Sequence, residues 1–344
     1  MTAQVAEHPS ADRTEADPAL RVDGLTVDIR TITGSVRAVD HVSFSAHRGE
    51  TLALLGESGC GKSMTATALV GLLEPVAEVT DGSAELAGRN GTADLLAVDR
   101  KTRRQMAGTE LAIVFQDALT ALNPLYTVGT QLAEPFRIHH GMNAKDAKRK
   151  AVELMTRVGI PQPEERLKSY PHQFSGGMRQ RLLIAMAVAL NPRVLIADEP
   201  TTALDVTVQA QIMALLKSLR SEYDMAVVLI THDLALVAEE ADRVAVMYAG
   251  NIIETGLVAE VFAEPKHPYT KGLLNSVPIN AERGAHLKSI GGSPPDLNSI
   301  PKGCVYQERC PLAAEICRTT RPALAPVGAG RRSACHFPEE VTNV

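Results

Sequence analysis

One stretch constrains the fold more than any other: TLALLGESGCGKSMTATALVGLL, residues 51–73. An apolar run reads as a strand ending at Gly56, a glycine-rich turn follows, and small and apolar residues suited to a helix come next. Gly56, Glu57, Ser58, Gly59, Cys60, Gly61, Lys62 and Ser63 match the spacing G-x-x-x-x-G-K-[ST], with Met64 directly after them. Glycines let backbone N–H groups turn inward around phosphate oxygens, and a helix N-terminus adds positive potential. Lys62 would bridge the β- and γ-phosphates of ATP, and Ser63 would hold Mg²⁺. A mere glycine turn is the alternative, and the flanking strand and helix weigh against it.

Two later runs, RVLIAD and MAVVLITHD, are apolar on both faces, as strands buried in a mainly parallel sheet under helices must be. The fold class is therefore α/β. Asp198 and Glu199 close the first of these runs. A carboxylate at a strand's C-terminal end can reach Mg²⁺, and its neighbour can orient and deprotonate a water. Between the phosphate loop and this pair, NAKDAKRKAVELMTRVGI reads as an amphipathic helix capped by Asn143, with Ala147, Ala151, Leu154, Met155 and Val158 on one face. Residues 1–18 read as a disordered leader, and ERGAHLKSIGGSPPDLNSIPKG as a glycine- and proline-rich connector.

Composition narrows the function. The 344 residues carry 35 Lys and Arg against 40 Asp and Glu, a net charge of −5, with no basic block and 3% aromatics. That argues against a nucleic-acid footprint. No apolar run reaches the roughly 18 residues of a membrane span, and the polar, acidic start MTAQVAEHPSADRTEADPAL lacks the basic-then-apolar pattern of a signal peptide. A cytoplasmic chain is expected, and any membrane role needs separate subunits.

Four further segments carry a resemblance. Gln116 in IVFQDALTALNP, FSGGMRQR from Phe174, DEPTTALDV from Asp198 and THD from Thr231 resemble, in order, the Q-loop, signature, Walker B with D-loop, and switch-histidine segments of ABC ATPases. The resemblance implies a P-loop NTPase (RecA-like) core over residues 19–255, a helical subdomain at about 120–185 and an extension over 256–344. It implies a head-to-tail dimer in which the signature residues Ser175, Gly176 and Gly177 of one subunit face the phosphate loop of the other. Glu199 is then the general base, His232 a γ-phosphate contact and Asp205 a coupler of the two sites. Lys62 holds phosphate, while Ser63, Asp198 and Gln116 serve the metal. Where the family usually stacks adenine on an aromatic residue, Ile29 stands instead, and the signature has FSGGM for the commoner LSGGQ. Cys60 is expected to be an ordinary small residue of the loop, not a redox sensor.

Cys304, Cys310, Cys317 and Cys335 crowd the last part of the chain, separated by five, six and seventeen residues. A reducing cytoplasm disfavours disulfides, and the gaps are wider than those usual for zinc. The expectation is a 4Fe–4S cluster, with zinc or unliganded cysteines as alternatives and His336 as a substitute ligand, folding a tail poor in apolar residues. The stretch from AEPKHPYTKGLLNSVP to CHFP resembles the extension of ATPases serving dipeptide and oligopeptide importers. That resemblance implies two integral permease subunits, a second and related ATPase subunit, an extracellular solute-binding protein, and a place on the cytoplasmic side of the cell membrane. Importers of nickel or another small solute, and soluble ABC proteins acting on nucleic acid or ribosomes, are the alternatives.

Overall fold

The structure is a computed structural model that describes residues 17–32, 34–202, 204–276 and 290–343. The expected leader lies outside the described residues except at 17 and 18, and so does the first part of the connector. Twelve strands are present among the described residues: β1 (Leu20–Thr31), β2 (Gly34–Ala46), β3 (Thr51–Leu55), β4 (Ala77–Gly88), β5 (Gly91–Asp94), β6 (Leu111–Val114), β7 (Val194–Asp198), β8 (Ala226–Thr231), β9 (Arg243–Tyr248), β10 (Asn251–Leu257), β11 (Ala325–Gly328) and β12 (Arg331–Ser333).

They form two sheets. The larger runs β11-β12-β10-β9-β3-β8-β7-β6, and the smaller runs β2-β1-β4-β5. At the centre of the larger sheet β3 pairs in parallel with β8 and β9, and β7 with β6 and β8. Every residue of β3, β7 and β8 is buried, because helices or the second sheet cover both faces. Side chains alternate as pleating requires. Val228 and Ile230 pack with β1, β2 and the helix Lys62–Val70, while Val227 and Leu229 pack with the helical region.

That region holds the helices Val128–His140, Ala144–Arg157 and Gly176–Val188. Asn143 caps the second as expected, its Oδ1 accepting the Asp146 N–H at 3.0 Å. Ala147, Ala151, Leu154, Met155 and Val158 are buried together. Beyond β10 the chain extends the main sheet, for β12 pairs antiparallel with β10 and β11 with β12. Among the described residues no helix is long and apolar enough to cross a membrane.

Candidate nucleotide-binding site

Parallel pairing brings the C-terminal ends of β3, β7 and β8 side by side, with Leu55 opposite Thr231 and Asp198 opposite Ile230. Ligands of open α/β sheets bind at such ends. The phosphate loop leaves β3 at Gly56, where a Cβ would stand 2.3 Å from the Met247 carbonyl oxygen. At Gly61 the chain turns with φ 105°, open to glycine, and the helix Lys62–Val70 begins. Lys62 is buried, its Nζ donating to the carbonyls of Gly56 at 2.8 Å and Glu57 at 2.9 Å. Cys60 is buried as well, and burial pushes its thiol above the ordinary range despite the nearby Lys62 cation. That is the opposite of an activated thiolate. Ser58 and Gly59 lie exposed at the crest of the loop, and Met64 packs partly buried beneath it.

The acid pair divides its work. Asp198, at the end of β7, accepts a hydrogen bond from Ser63 Oγ at 3.0 Å. Burial raises its pKa, the neighbouring Glu199 charge adds to the rise, and Ser63 opposes it. Glu199 sits at φ 43°, an uncommon place for a residue with a side chain, and its N–H donates to Ile230 at 2.9 Å. Its carboxylate gathers three partners: Gln116 Nε2 at 2.9 Å, Thr202 Oγ1 at 2.8 Å and His232 Nδ1 at 3.0 Å. Burial alone would raise the Glu199 pKa, but the bonds from Thr202 and His232 outweigh it and hold the group below the usual carboxylate range. A carboxylate held below that range is ionised at neutral pH, as a proton acceptor must be.

Gln116 therefore meets Glu199. Thr202 was missed in the sequence, although it stands three residues after Glu199 in the same DEPTT turn. Ser175 caps the helix Gly176–Val188, with its Oγ accepting the Met178 N–H at 3.4 Å. No hydrogen bond joins Ser175, Gly176 or Gly177 to the phosphate loop of the same chain among the described residues. Asp205 caps the helix Val206–Tyr223 through the Val208 N–H at 3.0 Å. From the first turn of that helix Gln209 donates to Asp233 at 3.3 Å, and Asp233 caps the next helix, Leu234–Glu240. The starts of two helices, one after Asp205 and one after His232, are tied together.

Among the described residues no group of three or more His, Cys, Asp or Glu side chains is placed to hold a metal ion, and all five cysteines are free thiols. Cys304 and Cys317 are instead buried in an apolar cluster with Tyr248, Tyr269 and Tyr306. Their backbones join, Cys304 N–H to Cys317 O at 2.7 Å. Cys310, pushed up to about 12, and Cys335, pushed up to about 11, are raised mainly by burial, with the neighbouring cysteines adding to it. His336 turns to the Thr320 carbonyl at 3.0 Å. Packing, strand pairing and ion pairs hold the tail as placed.

A glycine loop, an acid pair and a histidine at the ends of adjacent parallel strands are the arrangement of a phosphate-loop nucleoside triphosphatase. Residues 39–202 match the family described as ABC transporter, and residues 253–317 the family described as Oligopeptide/dipeptide transporter, C-terminal region. The dipeptide transport ATP-binding protein DppD of Escherichia coli (strain K12) is 47% identical over 319 residues, 93% of this chain and 96% of that protein. DppD of Bacillus subtilis (strain 168) is 50% identical over 307 residues, 89% and 90% of the two chains. Among solved structures, the ATP-binding cassette MJ0796, in a dimeric post-hydrolysis state bound to ADP and Pi, has 25% identity and a TM-score of 0.61, covering 70% of this chain and 98% of that one. The cbiO1 protein of Clostridium perfringens, part of the ABC transporter complex cbiONQ, has 28% identity and a TM-score of 0.59, covering 75% and 96%. The chain belongs to the ABC ATPase family, in the branch that carries the oligopeptide/dipeptide-transporter C-terminal region. It binds and hydrolyses ATP.

Proposed function

We propose that this chain is the ATP-hydrolysing subunit that powers import of dipeptides or oligopeptides. The observation that carries the reading is the union in one chain of an ATPase site with the C-terminal region described for oligopeptide and dipeptide transporters. Residues 19–255 form the ATPase unit, with a helical subdomain at about 120–185, and residues 256–344 the extension. Lys62 and the loop from Gly56 to Met64 hold the phosphates. Ser63, Asp198 and Gln116 would hold Mg²⁺, a reading supported by the bond between Ser63 and Asp198. Glu199 takes the proton of the attacking water, and His232 contacts the γ-phosphate.

Ser175, Gly176 and Gly177 complete the site of a second, related ATPase subunit, and Asp205 links the two sites. Two integral permease subunits hold the pair at the cytoplasmic face of the cell membrane, with an extracellular binding protein delivering the peptide. Exposed Leu125, Tyr126 and Ile138 on the helical side supply apolar surface for such contacts. The four tail cysteines take a 4Fe–4S cluster, or zinc, only if the metal draws them closer. Four soft sulfur donors whose charges bear on one another support that reading, as does the Phe337 N–H aimed at Cys335 Sγ at 3.4 Å. About four irons per chain after anaerobic purification mark the cluster, one zinc marks the alternative, and metal-free protein ends both. For transport, the chain is reconstituted in vesicles with its permeases and partner ATPase. ATP-driven uptake of a labelled dipeptide is the expected result, and uptake of nickel without peptide would overturn the substrate class.

A further inference from the structure

Glu57, the one acidic residue between Gly56 and Ser63, is held by the far end of the chain. Its carboxylate makes a two-pronged pair with Arg309, Nη1 to Oε2 at 2.8 Å and Nη2 to Oε1 at 3.1 Å. Its N–H donates to the Tyr269 hydroxyl at 3.0 Å, while its carbonyl accepts from Lys62. The Arg309 side chain is only 4% exposed. Its Nε donates to the Gly291 carbonyl at 2.9 Å, and its guanidinium lies over the rings of Tyr248 and Tyr306 at 5.7 and 5.9 Å. Tyr248, Tyr269 and Tyr306 pack on one another with centroids 4.6 to 5.4 Å apart. A guanidinium so enclosed has little freedom to leave, and its planar fork matches a carboxylate as no lysine can.

The loop exists to surround a triphosphate, so an uncovered carboxylate within it repels the ligand. We propose that Arg309 is a positioning residue for ATP: from the C-terminal extension it covers the Glu57 charge and fixes the loop segment onto which Lys62 is hydrogen-bonded. This goes beyond the assigned phosphate and metal contacts and gives the extension a part in nucleotide binding. It rests on ATP binding and not on the identity of the transported solute. A failed transport assay leaves it standing.

The test measures ATP·Mg²⁺ binding by equilibrium dialysis on the full chain at low and high salt. R309Q should weaken binding roughly tenfold at low salt, less at high salt, because a charge left bare near the phosphates is screened by ions. Adding E57Q to R309Q should restore affinity to within about threefold of wild type, since the repelling charge is gone. R309K keeps the cation and loses the fork. It should bind about three- to fivefold more weakly than wild type, because a point charge still covers Glu57 but without the two-pronged geometry, which supports charge covering even where R309Q fails to fold. A double variant as weak as R309Q, an R309K as weak as a tenfold loss, or normal ATP affinity in R309Q overturns the proposal in favour of a packing brace.

Discussion

The strands under the phosphate loop and the strands at the end of the chain share one sheet but are secured differently. In β3, β7 and β8 every side chain is buried and Asp198, at the very end of β7, is the sole charge. In β11 and β12 five of seven residues are not buried, and the extension reaches the core through Arg309–Glu57, Arg321–Asp40 and Arg331–Glu254. The first region is set by how much apolar surface it removes from water. The second is set by which charges and rings find one another. Damage should follow suit: volume changes harm the core, and charge or protonation changes harm the tail.

The largest effect belongs to the chemistry that the core positions. Glu199→Gln should retain ATP binding while turnover falls on the order of 10²–10⁴-fold, because an amide cannot take the proton of water. Normal steady-state hydrolysis in the assembled complex removes Glu199 from that role. Next comes volume. Leu229→Ala, at a fully buried position, should cost about 2–5 kcal/mol in urea unfolding. A cost below that range would mean that the centre of the sheet collapses around the gap.

Protonation comes third. His267 is buried where the tail meets the core, and its Nδ1 accepts the Tyr269 N–H at 3.1 Å. Burial lowers its pKa from 6.5 to about 3. Between those values the unfolded chain binds the proton and the folded chain does not, so stability falls as pH drops below 6.5. The slope should be about 1.4 kcal/mol per pH unit. His267→Asn keeps an acceptor without the titration and should flatten this part of a stability-versus-pH curve; an unchanged slope would assign it to other groups. The smallest effect is expected at Lys266→Met, which keeps the stem and removes the charge. Its partners Glu264 and Glu339 are 53% and 75% exposed, and pairs with such exposed partners contribute about 0–1 kcal/mol. A loss well above that in thermal unfolding would show that the two regions differ less than described.

Legibility in the sequence divides along the same line. The central strands, the phosphate loop and the helix after Asn143 could be read because each depends on neighbours within about one element's length. Asp198 and Glu199 were visible as acids ending a strand, and their meeting with Ser63 and His232 followed from the order of the motifs. The partner of Glu57 could not be read, since 252 residues separate it from Arg309 and only folding brings them together. The β12 pairing was hidden for a related reason: RRS is too short and too polar to show a strand period. Arg309 stands directly before Cys310, and no local pattern marks its contact with the phosphate loop.

The long reach of that contact also sets a schedule. The loop is synthesised early, but the Tyr269 that receives its N–H follows Glu57 by 212 residues and Arg309 by 252. At about 5–20 residues per second, a nascent chain spends roughly 13–50 s with Glu57 made and Arg309 not yet added. A ribosome that stalls before the extension therefore yields a cassette whose loop is unbraced and whose carboxylate is bare. A chain translated past Arg309 is the first that can close the contact on Glu57.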